Sequence, residues 1–235
     1  MFNFLILIII MIFAFTLILL AFKRGLQTLY VLMVTFYIIT NITAAQVVTA
    51  SINFFNLFSF NFLASTAAPL YASLFLASDM ITEKYGKKPA YKGIWYGFAS
   101  QICLLVLSFL INLVESDPSS EVANALKTIF SFTPRLVIGS LIAYVVSQNF
   151  DIWFFNLIKK LMKDKLPGSR NNLSTMVSQL IDTFLVFFIA FYGVIDNWID
   201  VMFSTYIIKI IVSFCDTPFF LISKKISIPE DKQIV

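Results

Sequence analysis

The sequence predicts an all-α integral membrane protein: a bundle of six core transmembrane helices plus one extra N-terminal transmembrane helix. Of its 235 residues, 59% are hydrophobic and only 13% are charged, whereas a soluble domain carries about 25% charged residues to cover its surface. Mean hydropathy is +0.87. Seven apolar runs recur between short polar connectors, each close to the ~20 residues that cross a hydrocarbon core. Seven spans use roughly 140 residues, which leaves short loops and no folded extramembrane domain. A soluble globule, a disordered chain and a disulfide scaffold are excluded.

The runs cover 2–22, 29–50, 60–81, 94–114, 134–157, 173–195 and 201–223. The first lacks a positive n-region and a small-residue cleavage site, and its basic pair Lys23-Arg24 follows the apolar stretch, so it reads as a retained span and not a signal peptide. Residues 1–27 form that extra helix, 28–225 the six-helix core and 226–235 a C-terminal tail. Gly25, Gly86, Pro89, Pro118, Pro167 and Gly168 fall in the connectors, where turn formers belong. The stretch 51–61 is uncharged and mixes polar with aromatic residues; it and 115–133 read as loops.

Orientation follows from the basic residues, which flank the cytoplasmic ends of spans. With the N-terminus outside and the C-terminus inside, 14 of the 17 basic residues lie on the cytoplasmic side and Lys127 alone lies outside. The net charge of +4 is thus scattered over cytoplasmic connectors and does not form a nucleic-acid surface. There is no His, which removes imidazole acid–base work and His-ligated metals. Cys103 and Cys215 sit within apolar runs and read as space fillers. No GxxxxGK[ST] occurs, so the chain has no P-loop of its own. No cofactor, metal or enzymatic role is indicated.

Six ionisable residues remain within or at the ends of spans: Asp79, Arg135, Asp151, Asp182, Lys209 and Asp216. A central Asp, Lys or Arg costs about 2.5–3.5 kcal/mol on insertion scales, so each is a candidate for a substrate-binding or transport path. Asp182 lies roughly 15 Å into the sixth span and Lys209 roughly 12 Å into the seventh; both fall near the midplane and can pair. Asp79, Asp151 and Asp216 fall in the cytoplasmic third, within reach of water or neighbouring Lys. Arg135, at the outer end of the fifth span, suits a lipid headgroup or a path entrance, and stands about 24 Å from Asp151 along one helix. Four negative and two positive groups favour a cation, either a coupling ion or an amine-bearing substrate.

Spacing supports a polar cavity. Asn171, Thr175, Ser178 and Asp182 share one helical face with Gln179 beside it, and Thr205, Lys209, Ser213 and Asp216 share another. Asn41 and Gln46 on the second span and Gln148 and Asn149 on the fifth carry amides, each a donor and an acceptor, which suit the edge of a purine-type ring or cross-helix bonding. Among the aromatics, Tyr144 and Trp153 are the stacking candidates.

These residues carry a resemblance. Asn41-Ile42-Thr43-Ala44-Ala45-Gln46, Phe75-Leu76-Ala77-Ser78-Asp79 with Gly86, Arg135 with Ala143-Tyr144, Gln148 and Asp151 to Phe155-Asn156, Asp182-Thr183 with Phe187-Phe188-Ile189-Ala190-Phe191, and Lys209 resemble the VUT family, the queuosine precursor transporters, in order and spacing over roughly 30–223. The extra first span and the connectors 51–61 and 115–133 depart from it. The resemblance implies import, across the cell inner (plasma) membrane, of a 7-deazaguanine: the 7-cyano or 7-aminomethyl queuosine precursor, or queuine. The expected mechanism is alternating access, ion-coupled through Asp182 with Lys209 as its partner. The alternative is a substrate-capture subunit for a vitamin or nucleobase that needs a partner ATPase module. The partners implied are the bilayer, the small-molecule substrate and, as open alternatives, a second copy in a homo-oligomer or that ATPase module.

Overall fold

A computed structural model describes residues 2–43, 46–54, 58–115, 120–130, 134–162, 167–193 and 198–226. Helix α1 (Phe2–Arg24) ends where Gly25 takes a φ of +117° and its N–H bonds to Ala21 O at 3.1 Å, the left-handed stop that glycine accepts without strain. Helix α2 (Leu26–Thr43) follows at once, then strands β1 (Val47–Phe54) and β2 (Phe58–Ser65). Helices α3 (Ala68–Tyr85), α4 (Lys87–Asn112), α5 (Glu121–Phe130), α6 (Pro134–Leu161), α7 (Pro167–Val186) and α8 (Trp198–Lys225) complete the chain. A π-helical turn, Phe187–Phe191, extends α7. Pro134 and Pro167 open their helices, where the missing N–H costs nothing.

The helical bundle is as expected, with corrections at its edges. The runs 29–50 and 60–81 lose their facing ends to an antiparallel hairpin that pairs Val47 with Ser65 and Phe54 with Phe58. Phe58, Phe60 and Phe62 alternate with Ser59, Asn61 and Leu63, a period of two that a hydropathy average hides. Part of the connector 115–133 is helical, as α5. Helix α4 begins at Lys87 and α7 at Pro167, so both start further back into their basic connectors than the apolar runs do. Of the C-terminal tail, 227–235 lies outside the described residues.

Six helices, α1, α2, α4, α6, α7 and α8, contain stretches long and apolar enough to cross a membrane. Helix α3 is not among them, because it is enclosed: it packs against α1, α2, α4, α6 and α8, and every residue from Ser73 to Thr82 is buried. A helix shielded from lipid by its neighbours has no need of a hydrocarbon surface, and Ser73, Ser78, Asp79 and Thr82 use that freedom.

The apolar core surrounds α3. Phe15, Ile18 and Phe22 of α1 are fully buried with Leu29, Met33 and Tyr37 of α2 and Leu74 and Phe75 of α3, and the rings of Phe15 and Phe219 stand 5.1 Å apart. Cys103 and Cys215 are exposed on the outside of the bundle, so they do not fill core space as expected; an apolar run has a lipid side, and these positions fall on it.

Gly97 fixes the α2–α4–α6 junction. A Cβ there would overlap the Tyr37 ring and come within 2.7 Å of Tyr144 Oη. Overpacking of this kind costs about 1–3 kcal/mol, so Gly97→Ala is expected to lower the melting temperature of the detergent-solubilised protein, read by intrinsic fluorescence.

Candidate functional site

Two polar layers lie inside the bundle, and Asp182 organises the first. The Lys209 Nζ stands 2.8 Å from Asp182 Oδ2, the ion pair anticipated from depth alone. The other oxygen, Oδ1, accepts from Tyr71 Oη at 2.8 Å and from Ser147 Oγ at 3.2 Å. Side chains from α3, α6 and α8 thus converge on one carboxylate of α7. The Asp182 side chain is 3% exposed and that of Lys209 21%; the ammonium also lies 5.5 Å from the Tyr71 ring centroid, within reach of a cation–π contact.

The second layer lies toward the end of the bundle where the basic residues gather, hereafter the basic end. Asp151 accepts from Ser174 Oγ and Ser178 Oγ, each at 2.7 Å, and from Ser78 Oγ at 3.4 Å. Thr175 Oγ1 donates to Asp79 Oδ2 at 3.2 Å, and Asn171 Nδ2 to Asp216 Oδ1 at 2.8 Å. The stripe Asn171, Thr175, Ser178, Asp182 is therefore buried along one face of α7, as its spacing predicts, and each member holds or is a carboxylate. The three shallow aspartates are at most 1% exposed, away from the membrane-edge water expected of them, and among the described residues none pairs with a Lys.

Two buried amides on the same helices, α6 and α7, have polar atoms with no partner among the described residues. Gln148 on α6 is fully buried, and neither Nε2 nor Oε1 has a partner; Gln179 Oε1 on α7 is likewise bare. Buried amides left open cost about 1–3 kcal/mol each, a cost that a polar ligand in the bundle would remove. Beyond the second layer, Glu83 bridges Lys159 at 3.0 Å and Lys224 at 2.8 Å, tying α3, α6 and α8 together at the basic end.

Other candidates lie elsewhere. The Asn41 amide donates to Tyr37 O of its own helix at 2.9 Å, and Gln46 is exposed beside the hairpin, accepting from Thr66 Oγ1 at 3.2 Å. Tyr144 is buried, its Oη bonded to Ile94 O at 2.9 Å and its ring edge-on to Tyr37, which makes it a buttress between α4 and α6. Trp153 is 48% exposed and packs outward on Phe150 and Phe154. The Arg135 side chain lies outside the described residues. Tyr71, Ser147 and Ser174 join the candidate site through their bonds to Asp182 and Asp151, and the sequence did not single them out. Ser147 is four residues before Asp151 and Ser174 four before Ser178, spacings that put each pair on one face; for Tyr71 the only signal is its seven-residue distance from Ser78.

A multi-helix bundle with charged and amide groups sealed inside it is the architecture of a membrane transporter. The comparisons agree. The family model described as "Putative vitamin uptake transporter" matches residues 65–223. The chain is 38% identical over 180 residues, 74% of its length, to a Bacillus subtilis protein named "Probable queuosine precursor transporter", covering 77% of that protein. It is 28% identical to a Haemophilus influenzae protein of the same name, over 65% of each chain. It is also 28% identical to the Escherichia coli "Queuosine precursor transporter", over 60% of this chain and 63% of that one. No solved structure matches. The chain belongs to the VUT family; it is a multi-pass membrane transporter for a small molecule, and not an enzyme.

Breaking a buried ion pair from one side costs about 3–5 kcal/mol, because the partner charge is left alone. Asp182→Asn and Lys209→Met are each expected to destabilise the folded protein by about that much, while the double variant recovers most of the loss; thermal unfolding of the three variants in detergent checks this.

Proposed function

We propose that the chain imports a queuosine precursor, a base of the 7-deazaguanine class, across the cell inner membrane, with its N-terminus outside and its basic end and C-terminus in the cytoplasm. The observation that carries the proposal is the fully buried Gln148 amide, unpartnered among the described residues and next in the chain to Ser147, which bonds Asp182. A deazaguanine edge offers ring N–H and exocyclic amine donors and a carbonyl acceptor. A glutamine amide complements a donor–acceptor edge with two bonds, and a carboxylate accepts N–H donors with charge assistance. The relatives' names support the same substrate class.

Transport proceeds by alternating access. The Glu83–Lys159–Lys224 bridge closes the cytoplasmic end while the layer at Asp182 takes substrate from the opposite side. Flexibility is available near both layers: the π-helical turn follows Asp182 on α7, and Pro218 interrupts the hydrogen bonding of α8 two residues beyond Asp216; irregularities of these kinds are where helices bend.

The chain is expected to work without an ATPase module. Purified into vesicles free of nucleotide, it should take up labelled 7-cyano- or 7-aminomethyl-7-deazaguanine, and uptake that appears only with an added ATPase would establish the substrate-capture alternative. Gln148→Leu separates recognition from folding. Removing an unpartnered buried amide is expected to leave stability unchanged or raise it, while uptake affinity falls about 10–100-fold, the worth of a lost pair of hydrogen bonds to substrate. Uptake kinetics and a melting curve on the same preparation read both quantities.

A further inference from the structure

Asp182 has a counter-ion, but the second layer does not. Asp79 on α3, Asp151 on α6 and Asp216 on α8 are 0%, 0% and 1% exposed, and among the described residues no cationic side chain pairs with any of them. Of the other charged groups described on these helices, Lys84, Lys160 and Lys225 are exposed at the basic end, and the rest are held elsewhere. Glu83 is held by Lys159 and Lys224 at the basic end, and Lys209 is spent on Asp182. Of the other helices packed on α3, α1 carries only Lys23 and Arg24 at its terminus, α2 only tyrosines, and α4 its lysines near the basic end with two tyrosines and the exposed Cys103. Helix α7 contributes hydroxyls and amides alone to this layer, the Arg170 side chain lying outside the described residues, and Cys215 beside Asp216 on α8 is exposed.

The hydrogens available do not cover the acceptors. Three hydroxyls, of Ser174, Ser178 and Ser78, stand within hydrogen-bonding distance of the Asp151 carboxyl, but the single hydrogen of Ser178 is also within reach of Ser174 O and Thr175 O. Asp79 Oδ1 and Asn171 Oδ1, both on fully buried side chains, have no donor among the described residues. Asp79 and Asp151 belong to one layer: Ser78, next to Asp79 in the chain, donates to Asp151, and Thr175 and Ser178 on one turn of α7 donate to one carboxylate each. What the layer lacks is hydrogen. A multivalent metal is the poorer candidate, since no three carboxylates or thiolates among the described residues are disposed to hold one.

We propose that Asp79, Asp151 and Asp216 form a proton-binding site separate from the Asp182–Lys209 pair, and that protons bound there drive substrate import. The proposal rests on the import function above. No bond in the substrate changes: a carboxylate of the layer takes up a proton while the outer side is open and releases it once the inner side opens. Because the layer is shared among α3, α6, α7 and α8, a shift of α3 and α8 against α6 and α7 separates the carboxyls and changes their hold on the proton. Asp79 is one turn from Glu83, so opening the Glu83 bridge would give this layer its way to the cytoplasm.

Vesicles containing the purified chain, with labelled 7-aminomethyl-7-deazaguanine and an entrapped pH dye, test this. The wild type should accumulate substrate several-fold above equilibrium when the outside is acid, acidifying the lumen as it does so, and a sodium gradient at equal pH should not replace the pH gradient. Asp79→Asn and Asp216→Asn should still exchange labelled for unlabelled substrate but accumulate none. Wild-type exchange that ignores the pH gradient, or is driven by sodium, overturns proton coupling while leaving import intact; absence of exchange in the wild type overturns import and this site with it. Variants that accumulate normally, or that lose exchange too, overturn the location. If the variants fail to insert, labelling of the wild type by dicyclohexylcarbodiimide, which attacks protonated carboxyls in apolar surroundings, decides: mass spectrometry should find adducts on Asp79 or Asp216 that fade as pH rises, whereas labelling of Asp182 alone overturns the assignment.

Discussion

A carboxylate in the middle of a hydrocarbon slab is held only if the protein replaces its water completely, and the interior of this bundle is arranged around doing so for Asp182. The ammonium of Lys209 supplies the charge, and Tyr71 and Ser147 supply neutral hydrogens to the other oxygen. Each donor comes from a different helix, so the pair is also a fastening of α3, α6, α7 and α8. Burial makes the attraction strong and makes any lost partner costly. Helix α3 must then be enclosed, because a helix bearing Tyr71, Ser78 and Asp79 cannot face lipid.

That fastening is not self-sufficient, and the proposed function rests on the incompleteness. The Gln148 amide and the bare oxygens of Gln179, Asp79 and Asn171 are buried polar atoms whose bonds are unmade within the described residues. A protein selected for stability alone would replace them with apolar groups or pair them. Set beside an ion pair in a VUT-family chain, they describe a container whose contents come and go. In the proposed function the two layers divide the work chemically: the charge-compensated one takes the planar polar base, and the other, an excess of acceptors, takes the cation. The Glu83 bridge separates both from the basic end.

Much of this was legible in the sequence, for physical reasons. Hydropathy marked α1, α2, α4, α6, α7 and α8 because lipid imposes one composition on every surface it touches, whereas the run that led to the enclosed α3 is apolar partly through strand β2. Asp182 and Lys209 stood out because charge in such runs is expensive, and rise per residue sufficed to match their depths. Other features were hidden by the same averages. The hairpin of Val47–Phe54 and Phe58–Ser65 is as apolar as a span and differs only in period. Tyr71 and Ser147 are ordinary residues in a membrane helix, and nothing but the fold brings them to Asp182. Asn41, Gln46 and Trp153 illustrate the converse: their chemistry suited a site, but Asn41 bonds its own backbone, and Gln46 and Trp153 are exposed.

The central claim is that substrate enters the polar interior at Asp182 and Gln148. The surface offers an alternative, a groove of about 420 Å³ on the outside of α2 and α4 lined by Gln27, Tyr30, Val31, Val34, Thr35, Lys92 and Tyr96. An experimental structure in lipid nanodiscs with a 7-deazaguanine bound decides between them. Density for the base within hydrogen-bonding distance of the Gln148 amide and the Asp182 carboxylate is the result this account requires. Density in the α2–α4 groove, with Gln148 still unpartnered, would contradict it.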